Sequence, residues 1–225
     1  MRKLEADLRE ISEFISSPKI QTPNIKNTNL QSCIKSSYKQ FHALLVWGLV
    51  IREDEKENSE LSLYFTECLS DISHSYLLNL YSLYKSSRSS LRSGIENAVR
   101  VVLLDKKESV TNVSSVYDLF ALLKKNYSDV HYKDPIYHLH QSYGELCKSV
   151  HSAKLNYLSQ TIPFDNLSLL NEAEFISNNE MLRKSCSSLN QMLFLTWDTK
   201  LRLAGHANED LVRDALPKGV KRIKT

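Results

Sequence analysis

The chain has 225 residues, of which 42% are hydrophobic and 24% are charged, so it can bury a substantial core and global disorder is excluded. Only 5 glycines and 5 prolines occur, which disfavours a sheet-rich fold with many tight turns and indicates long helices with few connections. The net charge of +3 is mildly basic, and by itself it does not indicate nucleic-acid binding.

Two amphipathic helices are predicted within residues 1–55. The first ends before Pro18, and a polar loop then leads to Thr28. The second covers roughly Leu30–Ile51. The apolar positions of the first helix are Leu4, Leu8, Ile11 and Ile15, and those of the second are Ile34, Tyr38, Phe41, Leu45 and Leu49.

The longest helical tract runs roughly from Ser59 to Lys106. One straight helix of this length would be unusual in a globular domain. We expect a break at Ser86–Ser90, because serine competes for backbone hydrogen bonds, and one bent helix is the alternative. A polar loop at Lys106–Asn112 precedes a short helix that carries Val116, Leu119, Phe120 and Leu123.

Three further helices are predicted in the C-terminal half. Asp134 followed by Pro135 is typical of a helix start, with an N-cap and a proline in the first helical position. Residues 156–171 are predicted to be mostly loop, and Gly205 lies where a helix C-terminus favours left-handed backbone. The predicted ranges are Asp134–Ala153, Glu172–Ala204 and Glu209–Leu216, followed by a basic tail in residues 217–225.

The cysteine pattern and the hydropathy indicate the cytoplasm. The cysteines lack C-x-x-C spacing and are expected to be reduced core thiols. Arg2 and Lys3 are followed by acidic residues, so we expect no signal peptide. The longest apolar run, Ala43–Ile51, is far shorter than the ~20 residues that cross a bilayer. The four cysteines are Cys33, Cys68, Cys147 and Cys186.

Four charged residues spaced four apart line one stripe of a helix: Arg88, Arg92, Glu96 and Arg100. Arg88 and Arg92 lie on the shoulder of the apolar stripe, and Arg100 points more nearly outward. We expect Arg92 and Glu96 to form a partly buried ion pair. One interpretation is an intrahelical ladder of salt bridges. The other is a cationic group that grips a phosphate while Glu96 orients it.

His151 lies near the end of the helix that is predicted to start at Asp134, and Lys148 is a cation three residues before it. In a structural role, its imidazole would bond the last helix carbonyls and interact with the helix dipole. In a functional role, it would act as a general acid or base, because histidine titrates near physiological pH. Both interpretations stay open.

No metal site and no cofactor site is expected. His138 and His140 project about 200° apart on a helix, and His131 and His151 add no zinc-binding spacing. The chain also lacks a nucleophile elbow, a phosphate-binding glycine loop and a nucleotide fingerprint.

Tyrosines and the basic tail are the remaining candidates for binding. The tyrosines of the middle of the chain are expected to be core or interface aromatics with a polar tip. The tail is either a solvated end or a contact to a phosphate backbone, for which Arg88 is a further candidate. The tyrosines are Tyr76, Tyr81, Tyr84, Tyr117, Tyr132, Tyr137, Tyr143 and Tyr157, and the tail cations are Lys218, Lys221, Arg222 and Lys224.

Two segments resemble the HEPN-like superfamily of bacterial proteins. Ser89–Asn97 is similar to the L-R-S-x-x-E helix of that superfamily, and Tyr143–His151 resembles a later helix that often ends in L-x-x-x-V-H. The resemblance covers residues 59–157. It implies an all-α multi-helix bundle, frequently dimeric. Residues 1–55 and 172–216 would add N- and C-terminal helices within one domain of residues 1–225.

The resemblance also implies a chemistry. Active HEPN-like proteins cleave RNA without a metal, using a histidine for proton transfer around the 2′-hydroxyl and an arginine several positions earlier for the phosphate. Here His151 matches the histidine, but the positions for the arginine hold Gly144, Glu145 and Leu146. Arg92 with Glu96, or Lys148, would have to act in its place.

We therefore expect a non-catalytic or degenerate HEPN-like helical protein that acts through a protein partner, in bacterial phage defence or a toxin–antitoxin system. A tyrosine-rich face would form the contact. Two alternatives stay open. One is a metal-independent HEPN-like endoribonuclease or toxin, and the other is an accessory protein that binds nucleic acid through its basic tail.

Overall fold

The computed structural model describes residues 28–54, 59–150 and 170–221, and in these residues every regular element is a helix. The prediction of an all-α multi-helix bundle is confirmed at this level. The first predicted helix, which carries Leu4 to Ile15, lies outside the described residues. The elements are α1 (Thr28–Asp54), α2 (Glu60–Leu80), α3 (Tyr84–Asp105), α4 (Val116–Asn126), α5 (Val130–Val150), α6 (Glu172–Trp197), a 3-10 helix (Asp198–Ala204), α7 (His206–Ala215) and α8 (Lys218–Lys221).

The long tract breaks at residues 81–83, so the predicted break at Ser86–Ser90 was wrong. Ser82 has φ +60°, and the amides of Ser82 and Leu83 bond the carbonyls of Asn79 and Leu78. These are the two hydrogen bonds of a Schellman motif, in which the left-handed residue ends the helix. Glycine is usual at this position of the motif, and because this chain has serine there, the sequence did not indicate that the helix ends.

The serines of residues 86–90 instead lie inside α3, and one of them, Ser87, helps this helix pack against α2. Buried Ser87 donates to the carbonyl of Ser75 at 2.8 Å across the hairpin. Gly94 lies so close to α2 that a Cβ atom there would be 3.0 Å from Ile72 Cγ1. The two helices therefore form a tight antiparallel hairpin.

Helix α6 is the centre of the bundle and packs against α1, α2, α3 and α5. Its buried side chains include Phe175, Leu182, Leu189 and Phe194, together with several polar ones. Ser37 of α1 donates to Asn179 Oδ1 of α6 at 2.8 Å. Buried polar groups are stable when they are hydrogen-bonded, so such pairs fix the position of α1 on α6.

A carboxylate joins the C-terminal end of α3 to α6. Trp197 Nε1 donates to Asp105 Oδ1 at 2.6 Å. Tyr127, which follows α4, donates to the other carboxylate oxygen at 3.3 Å and to the carbonyl of Val102 at 2.7 Å. Burial, followed by the charge of Asp105, raises the pKa of Tyr127, so its hydroxyl remains a donor.

Helix α5 begins at Val130, and the predicted start at Asp134 was wrong. Asp129 provides the cap, because its Oδ1 accepts the amide of His131 at 2.9 Å. Pro135 consequently lies inside the helix. Gly205 has φ +79° and separates the 3-10 helix from α7, as the sequence predicted.

Among the described residues, no helix is both long and apolar enough to cross a membrane. Within the same ranges no group of three or more histidine, cysteine or acidic side chains could hold a metal ion. All four cysteines are free, and Cys68 and Cys186 are buried in the core.

Candidate functional site

The first candidate site lies where α3 meets the C-terminal half of α5. Arg92 extends from α3 towards α5, where its guanidinium carbon is 5.9 Å from the centre of the Tyr143 ring. Its Nη1 lies 4.0 Å from Cys147 Sγ. Arg92 Nε is buried and has no hydrogen-bond partner among the described residues. We call Arg92, Tyr143 and Cys147 the Arg92 cluster.

Glu96 does not pair with Arg92, so the expected ion pair was wrong. Glu96 Oε1 accepts from Arg100 Nη1 at 2.9 Å, one turn further along α3. A glutamate four residues before a cation is the favoured order on a helix, which explains why Glu96 pairs with Arg100. Arg92 therefore has no carboxylate partner on α3 and contacts side chains of α5 instead. Arg100 also differs from the prediction of an outward side chain. Only 11% of its side chain is exposed, and it donates to the carbonyl of Val113 at 3.2 Å.

The protonation states in the Arg92 cluster follow from its surroundings. Burial, with a hydrogen bond to Cys147, raises the pKa of Tyr143, so the phenol is neutral at physiological pH. Burial lowers the pKa of Arg92, but the contacts with Cys147 and Tyr143 and the charge of Glu96 outweigh it, and the pKa is raised. Arg92 is therefore a permanent cation from which phosphate oxygens accept, whereas the Tyr143 side chain is buried and its hydroxyl contacts Cys147.

Of the other predicted site residues, Lys148 and Arg88 have partners outside this cluster. His151 lies outside the described residues, four positions after Cys147 in the sequence, so its predicted role stays a prediction. Lys148 is exposed and pairs with Glu145 at 2.6 Å. Arg88 forms an ion pair with Glu174 of α6, and its Nε donates to Asn178 Oδ1 at 2.6 Å.

Only part of the basic tail can be placed. Lys218 is exposed at the start of α8. The side chain of Lys221 is not among those described, and Arg222 and Lys224 lie outside the described residues, so their predicted role stays a prediction.

The second candidate site is a surface formed by α4 and α5. Tyr117 and Tyr137 are 67% and 61% exposed, which makes them the most exposed of the tyrosines that the structure describes. Tyr76 and Tyr143 are buried, whereas Tyr157 is outside the described residues. Of the predicted tyrosine-rich face, two side chains therefore present most of their area to solvent.

Contacts connect these two tyrosines into one surface. The ring of Tyr117 is 6.2 Å from that of His140, whose Nδ1 is 3.4 Å from Lys124 Nζ. Lys124, Lys133 and Tyr137 then line a cleft of about 290 Å³. We call Tyr117, Lys124, Lys133, Tyr137 and His140 the α4–α5 surface.

The α4–α5 surface is cationic at its cleft. Two lysines line the cleft and no carboxylate does, and the remaining lining comes from Tyr127, Ser128, Ile136 and Tyr137. Burial against Phe120, with the nearby charge of Lys124, lowers the pKa of His140. The imidazole is therefore neutral at physiological pH and contributes ring area rather than charge.

The sequence analysis did not predict that Cys147 contacts Arg92, or that the ring of His140 packs beside that of Tyr117. Tyr143 and Cys147 are four residues apart on α5, a spacing that places them on the same side of a helix. That spacing could have predicted a joint contact, but not that the partner would be Arg92.

No family model matches this chain, and no curated protein or solved structure matches it. The HEPN-like resemblance therefore stays a prediction that rests on the two segments quoted above.

Proposed function

We propose that this protein is a non-catalytic, degenerate HEPN-like interaction module that binds a protein partner through the α4–α5 surface. The single observation that carries the proposal is the exposure of Tyr117 and Tyr137 on one surface, with a cleft that Tyr137 lines. We further propose that the complex acts in bacterial phage defence or in a toxin–antitoxin system, as the resemblance implies.

The chemistry of the α4–α5 surface supports a protein partner. Tyrosine is enriched in binding hot spots, because its ring buries a large area and its hydroxyl still finds a hydrogen bond. Val130 is 65% exposed on the same helix as Tyr137, which adds apolar area at the start of α5. Lys124 and Lys133 at the cleft favour a partner with acidic residues opposite them.

The catalytic alternative lacks the arginine that active HEPN-like proteins carry several positions before the histidine. No arginine occurs from Gly144 to Ser149, and the only cation in that stretch, Lys148, already pairs with Glu145. A protein that has lost this arginine retains a helical scaffold and can still bind. The absence therefore favours an interaction role over cleavage.

The test is binding to the product of a neighbouring gene, measured by co-purification and calorimetry. We expect Tyr137→Ala to weaken the complex about 30-fold if Tyr137 is a hot spot, because truncating such a residue costs roughly 2 kcal/mol. Leu203→Ala is the matched control, since Leu203 is 53% exposed on the 3-10 helix, outside the α4–α5 surface. A strictly monomeric protein without a partner, or equal loss from both variants, would contradict the proposal.

A metal-independent endoribonuclease is the second candidate function, and the Arg92 cluster favours it. Arg92 Nε has no partner among the described residues, and Tyr143 and Cys147 of the cluster come shortly before His151 in the sequence. In this function His151 transfers protons and Arg92 binds the phosphate. Growth and RNA integrity after expression test it. Equal toxicity of the wild type and the His151→Ala variant removes the catalytic role.

A further inference from the structure

Helix α1 has an apolar stripe that faces solvent. From Ala43 to Ile51 no polar side chain occurs, and most of these residues are buried in the core. Leu45 and Leu49 are the exceptions, at 36% and 38% exposed. They lie four residues apart and so share one stripe. A helix that is apolar on all sides is normally covered on all sides.

Three cations and one carboxylate flank this stripe on α1, since Glu53 is exposed four residues after Leu49. Lys35 and Arg52 are exposed on the same side of the helix, one before and one after the two leucines, and Lys39 is half-buried between them. An occupant of the stripe would therefore combine an apolar face with acidic residues beside it.

The N-terminal segment of this chain has that composition. Leu4, Leu8, Ile11 and Ile15 recur at intervals of four, three and four, which places them on one face of a helix. The other positions between residues 4 and 15 hold four acidic side chains and a single cation, Arg9. The acidic residues are Glu5, Asp7, Glu10 and Glu13.

The intervening chain is long enough to bring the two together. Residues 18–27 can span about 33 Å when extended. Along α1, Leu45 is about 26 Å and Leu49 about 32 Å from Thr28, at 1.5 Å per residue. A helix in residues 4–15 can thus lie across both leucines.

We infer that residues 4–15 dock as an amphipathic helix on Leu45 and Leu49, with Glu5 and Asp7, which flank its apolar face, next to Lys35 and Arg52. The site is intramolecular and separate from the α4–α5 surface. It completes the burial of α1 and does not depend on the proposed partner.

Photo-crosslinking of the full chain tests this docking. The residue at Ile11 is replaced by p-benzoylphenylalanine, and the linked peptide is identified by mass spectrometry at low protein concentration. The matched control carries the same probe at Glu13, which points away from the apolar face because two residues turn a helix by about 200°. We expect the probe at Ile11 to link to residues 42–52 of the same chain, and the control to link there much less.

A second variant keeps the inference falsifiable. In the chain with the probe at Ile11, the double change Leu45→Asp and Leu49→Asp is expected to lower the yield of crosslinks to residues 42–52 about tenfold or more. The reason is that a carboxylate against an apolar face is strongly unfavourable. If circular dichroism shows that this variant is unfolded, Leu45→Gln with Leu49→Gln replaces it. Links to another segment, links between two chains, equal yields from the probes at Ile11 and Glu13, or an unchanged yield in these variants would overturn the inference.

Discussion

Arg88 provides the sharpest distinction between a structural and a ligand-binding role. Its side chain is only 18% exposed and joins α3 to the first turns of α6 through two partners. It forms an ion pair with Glu174 and donates from Nε to Asn178 Oδ1 at 2.6 Å. Asn178 is 3% exposed, and its amide nitrogen bonds the carbonyl of Tyr84 at 3.2 Å. We expect Arg88→Ala to destabilise the fold rather than to weaken ligand binding.

The magnitude follows from these partners. Without Arg88, the buried oxygen of Asn178 loses its donor, which costs about 1–3 kcal/mol. The ion pair with Glu174 adds up to about 1 kcal/mol, since 42% of the Glu174 side chain is exposed and solvent screens the interaction. A total of about 1–4 kcal/mol would lower the Tm of a chain of this size by about 2–16 °C.

Urea unfolding and thermal scanning measure the loss. Glu174→Gln is the control, because it removes the charge but leaves the Asn178 bond, and it should cost no more than about 1 kcal/mol. Nucleic-acid affinity is measured in parallel at a temperature where both variants are folded. An Arg88→Ala protein within about 0.5 kcal/mol of wild type that binds nucleic acid more weakly would refute the structural assignment.

Three further predictions concern other parts of the bundle. Asp105→Ala should cost about 2 kcal/mol in urea unfolding and change the fluorescence of Trp197, because the buried indole loses its charged acceptor; an unchanged midpoint would contradict this. Because the pKa of His140 is lowered in the folded chain, the unfolded chain binds the proton at higher pH, and the free energy of unfolding should fall as pH decreases through about 6.5. His140→Gln should reduce this fall in the free energy of unfolding between about pH 8 and pH 5. An identical pH profile of the variant and the wild type would count against this prediction. If the tail binds nucleic acid, replacing its four cations with alanine should weaken binding and reduce its salt dependence; an unchanged salt slope would end that alternative.

Much of the helical content could be predicted from the spacing of apolar residues. The predicted ranges Leu30–Ile51 and Glu172–Ala204 correspond closely to α1 and to α6 with the 3-10 helix. The boundaries that failed were decided by individual backbone contacts. Ser82 ends α2 in a conformation usual for glycine, and Asp129 caps α5 ahead of the more conspicuous Asp134-Pro135 pair.

The candidate site was predicted less well, for a physical reason. Helical spacing correctly placed Arg88 and Arg92 on the edge of the apolar stripe of α3, and both are partly buried there. Helical spacing could not decide which ion-pair partner a side chain takes when two partners are equally close along the helix. It also could not predict partners from other helices. Glu96 could pair with Arg92 or Arg100, and only the packing of α5 and α6 decides that Arg92 turns towards Tyr143 and Arg88 towards Glu174.

The pairing of α1 with α6 has a consequence for synthesis in the cell. Ser37 and Asn179 are 142 residues apart, and Gln40 and Asn190 are 150 apart. A ribosome that adds about 5–20 residues per second needs roughly 7–30 s between the two helices. During that interval the apolar run from Ala43 to Ile51 in α1 has emerged without α6, which packs against α1, while the α2–α3 hairpin can already form from neighbouring residues. The side chains of α1 that pack against α6 in the folded protein therefore lack that partner until α6 leaves the exit tunnel.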